Sequence, residues 1–204
     1  MLFTFTHSQL VEVAYKWLIK NRRCGVAFKE LNTSCCNGEY PDAIGFTMGA
    51  HSVLVEVKVS RSDFLSDKKK SFRKNPNHGM GTNRFYMCPS ELIQVKDLPP
   101  GWGLVWVDVK GKTKIIHDPI TEYPYESGGN KYVLKRSFVF EKNIKAENEL
   151  MYSALRRLHI KGHVNSIYDK AYNYNFKETF EPSPQPVKLN TLFDEQENKI
   201  TPKG

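Results

Sequence analysis

The segment from Val53 to Val59 constrains the fold of this chain most, because it predicts a strand with two chemically different faces. Side chains alternate across a strand, so the four valines at odd positions share one face. Leu54, Glu56 and Lys58 share the other face. An acid and a base two residues apart therefore point in the same direction from one predicted strand.

Periodicity and turn signals predict the neighbouring elements. An amphipathic helix with Ser8 as its N-cap precedes three strands, and a second helix and a further strand follow them. A Gly- and Asn-rich loop at 75–83, which we expect to be mobile, ends the second helix. The predicted helices are 8–22, 60–73 and 147–159, and the predicted strands are 26–31, 42–46, 52–59, 84–88, 103–109 and 113–116.

The length of 204 residues suits one hydrophobic core with a tail. We predict one domain over residues 1–160 and a C-terminal extension over 161–204, largely disordered from about residue 177 for want of apolar side chains. Leu192 and Phe193 form an apolar pair in this extension. The pair loosely resembles a sliding-clamp docking motif without its initial glutamine, and a small apolar patch folding back on the domain is the alternative.

Charge and cysteine content narrow the class of protein. The 30 Lys and Arg residues exceed the 22 Asp and Glu residues, so the net charge is +8 and favours a polyanionic partner. We expect a cytoplasmic protein that does not enter the membrane, because no apolar run reaches the ~18 residues of a membrane span. The four cysteines suit reduced thiols; a zinc site using Cys35, Cys36, Cys88 and His78 is the less favoured alternative.

Acidic residues around the central strand suggest a site for a hard divalent cation. Hydrolysis of a phosphodiester needs such a cation, and Mg²⁺ or Mn²⁺ prefers carboxylate oxygens. Asp42 and Glu56 could supply them and the carbonyl of Val57 could add a ligand, while Lys58 could orient or deprotonate the water or stabilise the transition state. A further carboxylate could come from Glu30, slightly favoured over Glu12 on the first helix.

A plainer interpretation treats Glu56 and Lys58 as the solvent face of an amphipathic strand and Pro41-Asp42 as a turn. Basic side chains after the strand are likewise open to two interpretations, a solvated helix face or phosphate contacts beside a cleft. The candidate nucleic-acid contacts are Arg61, Lys68, Lys69, Lys70, Arg73 and Lys74.

Helix, three strands, helix and strand, with Asp42 followed by Glu56-Val57-Lys58, resembles the PD-(D/E)XK nuclease core. Residues 55–64, followed by Asp67-Lys68-Lys69, resemble the MmcB-type DNA-repair endonucleases and related phage and bacterial proteins. The resemblance covers roughly residues 8–116. It implies a mixed α/β (α+β) fold with a restriction-endonuclease-like core, in which helices flank a central mixed sheet.

The resemblance further implies that Asp42, Glu56 and Lys58 are catalytic and that the two acids bind Mg²⁺ or Mn²⁺. The expected activity is that of a metal-dependent DNA endonuclease in repair, recombination or phage DNA metabolism. A homodimer is possible, and RNA stays open as the substrate. The alternatives are a non-catalytic nucleic-acid-binding module of the same fold and an interaction protein that blocks a phage or host factor.

Overall fold

Helix α1, His7–Lys20, is the first element of the chain. The computed structural model describes residues 5–127 and 130–168, and it describes the backbone alone for residues 120–127, 130 and 132–137. Thr6 caps the helix, two residues before the predicted Ser8. Thr6 Oγ1 accepts a hydrogen bond from the backbone N–H of Gln9, and the Gln9 side chain accepts one from the backbone N–H of Thr6. This reciprocal pair satisfies two N–H groups at the helix end.

A six-stranded mixed sheet carries the fold, with its strands in chain order from one edge to the other. The pairs β1/β2, β2/β3 and β5/β6 are antiparallel, whereas β3/β4 and β4/β5 are parallel. The mixed α/β class and the central sheet predicted from the sequence are confirmed at this level. The strands are β1 Val26–Lys29, β2 Ala43–Phe46, β3 Ser52–Val57, β4 Asn83–Pro89, β5 Trp102–Val107 and β6 Thr113–His117.

Apolar side chains cover both faces of this sheet. The odd-numbered valines of β3 pack on one face with the buried stripe of α1 around Leu10 and Trp17. Leu54 faces the other side, where it packs with Phe64 and with Leu150 of helix α4, Ile144–Ile160. The predicted alternation therefore holds along β3 itself. The strand ends at Val57, however, and Val59 is 37% exposed.

The second predicted helix is broken, contrary to the single helix expected over residues 60–73. Helix α2 runs over Arg61–Asp67 and α3 over Ser71–Lys74, and Lys70 between them has an extended backbone. Residues 75–81 after α3 are also anchored, although the sequence suggested a mobile loop. Buried Arg84 donates to the carbonyls of Pro76, Gly79 and Gly81.

Two further strands, which the sequence did not predict, pair in an antiparallel hairpin: β7 Ile120–Ser127 and β8 Asn130–Ser137. The chain divides into a unit of Met1–Val164 and a second of Asn165–Gly204. The predicted disorder from about residue 177 and the apolar pair Leu192 and Phe193 lie outside the described residues. Within the part that is described, the helices are all too short or too polar to cross a membrane.

Candidate active site

The backbone brings Asp42 against the end of β3. Asp42 directly precedes β2, whose Ala43 pairs with Val55 of β3. Asp42 Oδ2 accepts a hydrogen bond of 2.7 Å from the backbone N–H of Val57. On the other side, the N–H of Lys58 donates to the carbonyl of Met87 on β4 at 2.9 Å. The end of β3 at Glu56-Val57-Lys58 is therefore held from both sides.

Glu56 and Lys58 are buried side chains. Glu56 is 2% exposed and Lys58 is 3% exposed. The interpretation of this face as a solvated strand surface is therefore wrong, because charged side chains are almost never buried unless they are paired.

The Lys58 ammonium is surrounded by carboxylates. Its Nζ lies 3.4 Å from Glu56 Oε2, 3.4 Å from Asp67 Oδ1 and 3.9 Å from Asp63 Oδ1. Burial alone would lower the pKa of Lys58, but these acids more than reverse the effect and raise it. Lys58 is therefore positively charged at neutral pH. This favours stabilisation of negative charge over proton abstraction from water, which needs a neutral amine.

Arg73 lies inside the same cluster, so its predicted place among surface phosphate contacts is wrong. Its side chain is 2% exposed, and it pairs with Glu39 through Nη1. Nη2 lies 2.8 Å from Glu56 Oε1, and Nε donates to Asp67 Oδ2 at 2.9 Å. The break after α2 explains this position, because residues 67 and 73 of a continuous helix would point about 120° apart.

Asp42 has a distinct electrostatic environment. Burial and the neighbouring Glu56 carboxylate raise the pKa of Asp42 to about 6, although the Val57 N–H bond, Lys58 and His7 act in the opposite direction. His7 Nε2 lies 3.3 Å from Asp42 Oδ1, and His7 Nδ1 lies 3.5 Å from Glu30 Oε1. Glu30 therefore borders the site through His7.

Glu12, the other candidate for the additional carboxylate, pairs with Lys29. The geometry thus favours Glu30, as the sequence did. Glu30 has a φ of 43°, an uncommon backbone conformation for a residue other than glycine.

The remaining basic candidates have several different surroundings. Arg61 pairs with Asp97, and Lys68 donates to the Asp97 carbonyl at 2.9 Å, so both tie α2 to a neighbouring turn. Lys70 Nζ lies 2.8 Å from Asp67 Oδ1, at the margin of the site. Lys69 and Lys74 are also exposed, and they lie on either side of Lys70 along the chain.

Oxygen donors dominate the candidate metal site. Asp42 and Glu56 lie close enough for one to raise the pKa of the other, which is the like-charge situation that a divalent cation relieves. Together with the Val57 carbonyl they offer hard ligands, so the donor set fits Mg²⁺ or Mn²⁺. No group of three or more His, Cys, Asp and Glu side chains suited to a metal occurs among the described residues.

The zinc alternative gains no support from the thiols. Burial raises the pKa of Cys35 to about 11 and that of Cys88 to about 12, which disfavours thiolate ligands. Cys36 is exposed, whereas the other two side chains are buried. Reduced thiols remain the simpler interpretation.

Three acidic or titratable members of this site were missed from the sequence. Glu39 follows a turn-prone segment and gives no signal. Asp67 ends a capped helix and follows Asp63 by one turn, which is a weak hint that both face the same side. His7 stands next to the cap of α1, and its contact with Asp42 arises only from the docking of that helix on the sheet.

Comparison with known proteins gives little further information. No model of a known protein family matches the chain, and no curated protein has a significantly similar sequence. A solved structure of a protein of unknown function from Silicibacter pomeroyi is similar, with 16% sequence identity and a TM-score of 0.46. The match covers 88% of this chain and 100% of the other protein's chain. A similarity of this size carries no conclusion about function.

Proposed function

We propose that the protein is a divalent-metal-dependent deoxyribonuclease with a PD-(D/E)XK core of the MmcB-type repair-endonuclease branch. One observation carries the proposal: the hydrogen bond from the Val57 N–H to Asp42 joins the Pro-Asp turn to the Glu56-Val57-Lys58 segment. Two carboxylates, a backbone carbonyl and a charged lysine thereby meet at the end of one strand. DNA repair, recombination and phage DNA metabolism are the processes that such an activity serves.

The strand arrangement supports the restriction-endonuclease-like assignment. Three strands after α1 pair antiparallel, and β4 then returns parallel to β3 after α2 and α3. A parallel return needs a crossover, and this one carries Asp67 and Arg73 across the face that bears Glu56. The crossover therefore closes the site on the side opposite α1.

Each side chain has a defined role in the proposed mechanism. Asp42, Glu56 and the Val57 carbonyl would hold a Mg²⁺ or Mn²⁺ ion, which would supply an activated water and neutralise charge on the phosphate. Lys58, fixed by its acidic neighbours, presents a positive charge toward the developing negative charge of the phosphate. His7 restricts the orientation of the Asp42 carboxylate.

Cleavage assays with single-stranded, nicked, branched and duplex DNA, and with RNA, test the proposal in the presence of Mg²⁺ or Mn²⁺. Glu56→Gln and Lys58→Gln should each remove the activity, whereas Glu91→Gln on an exposed turn should retain it. Glu30→Gln should reduce cleavage more than Glu12→Gln. Absence of cleavage on all substrates, or equal cleavage by the Glu56 and Lys58 variants, contradicts the assignment.

The basic margin of the site is tested by DNA binding. Lys69→Ala and Lys74→Ala should each weaken binding regardless of sequence and reduce the slope of log K against log salt by about 1, as a lost phosphate contact does. Lys114→Ala, an exposed lysine of β6, is the matched control and should not change the slope. Unchanged slopes for both variants would make this basic segment a solvated surface.

A non-catalytic nucleic-acid-binding module is the second candidate, and one observation favours it. Both oxygens of Glu56 face cationic groups of the protein itself, Arg73 and Lys58. Such pairs can be purely structural. Binding of DNA without cleavage under any of the metal conditions, with the lysine variants weakened, would support this candidate; absence of nucleic-acid binding would favour the interaction protein.

A further inference from the structure

Arg73 makes three separate contacts with three carboxylates from different parts of the fold. Glu39 belongs to the segment before β2, Glu56 to β3 and Asp67 to the end of α2. Each acid meets a different nitrogen of the guanidinium. A planar group with N–H donors in several fixed directions can serve three such partners, whereas the single ammonium of a lysine cannot.

Arg73 is itself held rigidly. The centre of its guanidinium lies 4.8 Å from the ring centroid of Phe72 and 4.7 Å from that of Trp102. Tyr86 donates from its hydroxyl to Asp67 Oδ2 at 2.8 Å, so the acid that anchors Arg73 through Nε is also fixed. Arg73 is thus a rigid reference point beside Glu56.

The contact with Glu56 differs in geometry from the other two. Nη2 lies 2.8 Å from Glu56 Oε1, yet it has no hydrogen bond within the described part of the chain, because its N–H is not directed at that oxygen. The bonds to Glu39 and Asp67, by contrast, are well directed. Arg73 therefore restrains the Glu56 carboxylate through charge and close approach and not through a directed hydrogen bond.

We propose that Arg73 is a positioning residue, which holds Glu56 in the orientation that lets it bind a divalent cation together with Asp42. This inference rests on the proposed function, because it concerns the same cation site. Arg73 acts through Glu56 and does not contact the cation. Residues that orient a metal ligand in this way typically contribute 10-fold to 100-fold to metal affinity.

A simple charge effect predicts the opposite result, which makes the inference testable. If Arg73 acted only as a positive charge near the cation, its removal would tighten binding of the cation. If it positions Glu56, loss of the three-way geometry weakens binding whether or not the positive charge is kept. Arg73→Lys keeps the charge and Arg73→Gln removes it.

Binding of Mn²⁺ alone to the full chain, without DNA, is followed by the electron paramagnetic resonance signal of the free ion. Arg73→Lys and Arg73→Gln should both weaken Mn²⁺ binding by at least about tenfold. Arg156→Lys and Arg156→Gln on the exposed surface of α4 are matched controls and should bind like the wild type. Tighter or unchanged binding by Arg73→Gln, or unchanged binding by Arg73→Lys, overturns the inference.

Thermal unfolding and circular dichroism establish that the variants are folded. If neither Arg73 variant folds, Glu39→Gln replaces them, since it weakens the pairing of Arg73 with Glu39 at a residue that is not a proposed cation ligand; it should also weaken Mn²⁺ binding, and unchanged binding overturns the inference. Mn²⁺ binding without DNA cleavage by the wild type would contradict only the nuclease function. A wild type that binds no Mn²⁺ would contradict both.

Discussion

Replacement of Asp42 by asparagine should stabilise the protein although it removes a proposed metal ligand. Burial and the nearby Glu56 carboxylate disfavour the charged form of Asp42. Asparagine has nearly the same shape, and its side-chain oxygen can accept the N–H of Val57 as Asp42 Oδ2 does. The substitution therefore removes a buried charge while retaining the hydrogen bond.

The size of the effect follows from the pKa of Asp42. Burial and Glu56 raise this pKa from 3.8 to about 6. One pH unit corresponds to about 1.4 kcal/mol, so the penalty of the charged form is about 3 kcal/mol at most. Relaxation of the site and entry of water reduce this value, and we expect Asp42→Asn to raise the free energy of unfolding by about 1–2 kcal/mol at pH 7.5.

The gain must depend on pH in one direction. Below pH 3.8, the unperturbed value, aspartate is protonated in the folded and unfolded states alike, so the gain is absent. It grows as the pH rises, because the unfolded chain ionises first while folded Asp42 keeps its proton. The gain is complete above the folded pKa of about 6.

Urea unfolding in EDTA at pH 4, 5 and 7.5 measures this effect, with Glu91→Gln as a control for loss of one surface carboxylate. The Mn²⁺ affinity of Asp42→Asn should fall at the same time, because a neutral amide replaces a carboxylate ligand. Destabilisation at pH 7.5, or a gain that does not change between pH 4 and 7.5, would show that repulsion from Glu56 and burial do not govern Asp42.

Further substitutions, at the site and elsewhere in the fold, are tested by urea unfolding. Burial alone would raise the pKa of Asp67, but the neighbouring Arg73, Lys58 and Lys70 outweigh it and lower this pKa. The Asp67 carboxylate therefore stabilises the fold above pH ~4, and this stabilisation is lost as the pH falls. Asp67→Asn should cost about 3 kcal/mol at pH 7 and less at pH 3, and an equal cost at the two pH values would refute this explanation. Gly81→Ala should cost about 2–4 kcal/mol, because φ is 87° and the new Cβ would lie 2.6 Å from a side-chain carbon on β3. Gly111→Ala, also at positive φ but in open space, should cost only about 1 kcal/mol, and equal costs would exclude the steric reason. Lys142→Met should cost about 3 kcal/mol, because it leaves Glu147 buried without the ammonium that lies 2.6 Å away. Adding Glu147→Gln should recover part of this loss. If the effects of the two substitutions on the free energy of unfolding are strictly additive, the two side chains are not coupled.

The amino-acid sequence by itself determined the main strand and the order of the elements. The alternation of Val53, Val55 and Val57 with Leu54 and Glu56 is local and regular, so it fixed which side chains share a face. The six strands of the sheet were likewise predictable from apolar runs bounded by turn signals. The break between α2 and α3 was not, because Lys68, Lys69 and Lys70 are all compatible with a continuous helix.

Only the tertiary structure decided which charges meet. Glu39, Glu56 and Arg73 are separated along the chain, and Arg73 meets the two acids because the crossover from β3 to β4 folds back over one face of the sheet. The sequence placed Arg73 with the surface lysines, since a basic side chain in a lysine-rich segment carries no local sign of burial. Long-range packing turned this arginine inward, and the acidic groups around it compensate the cost of its burial.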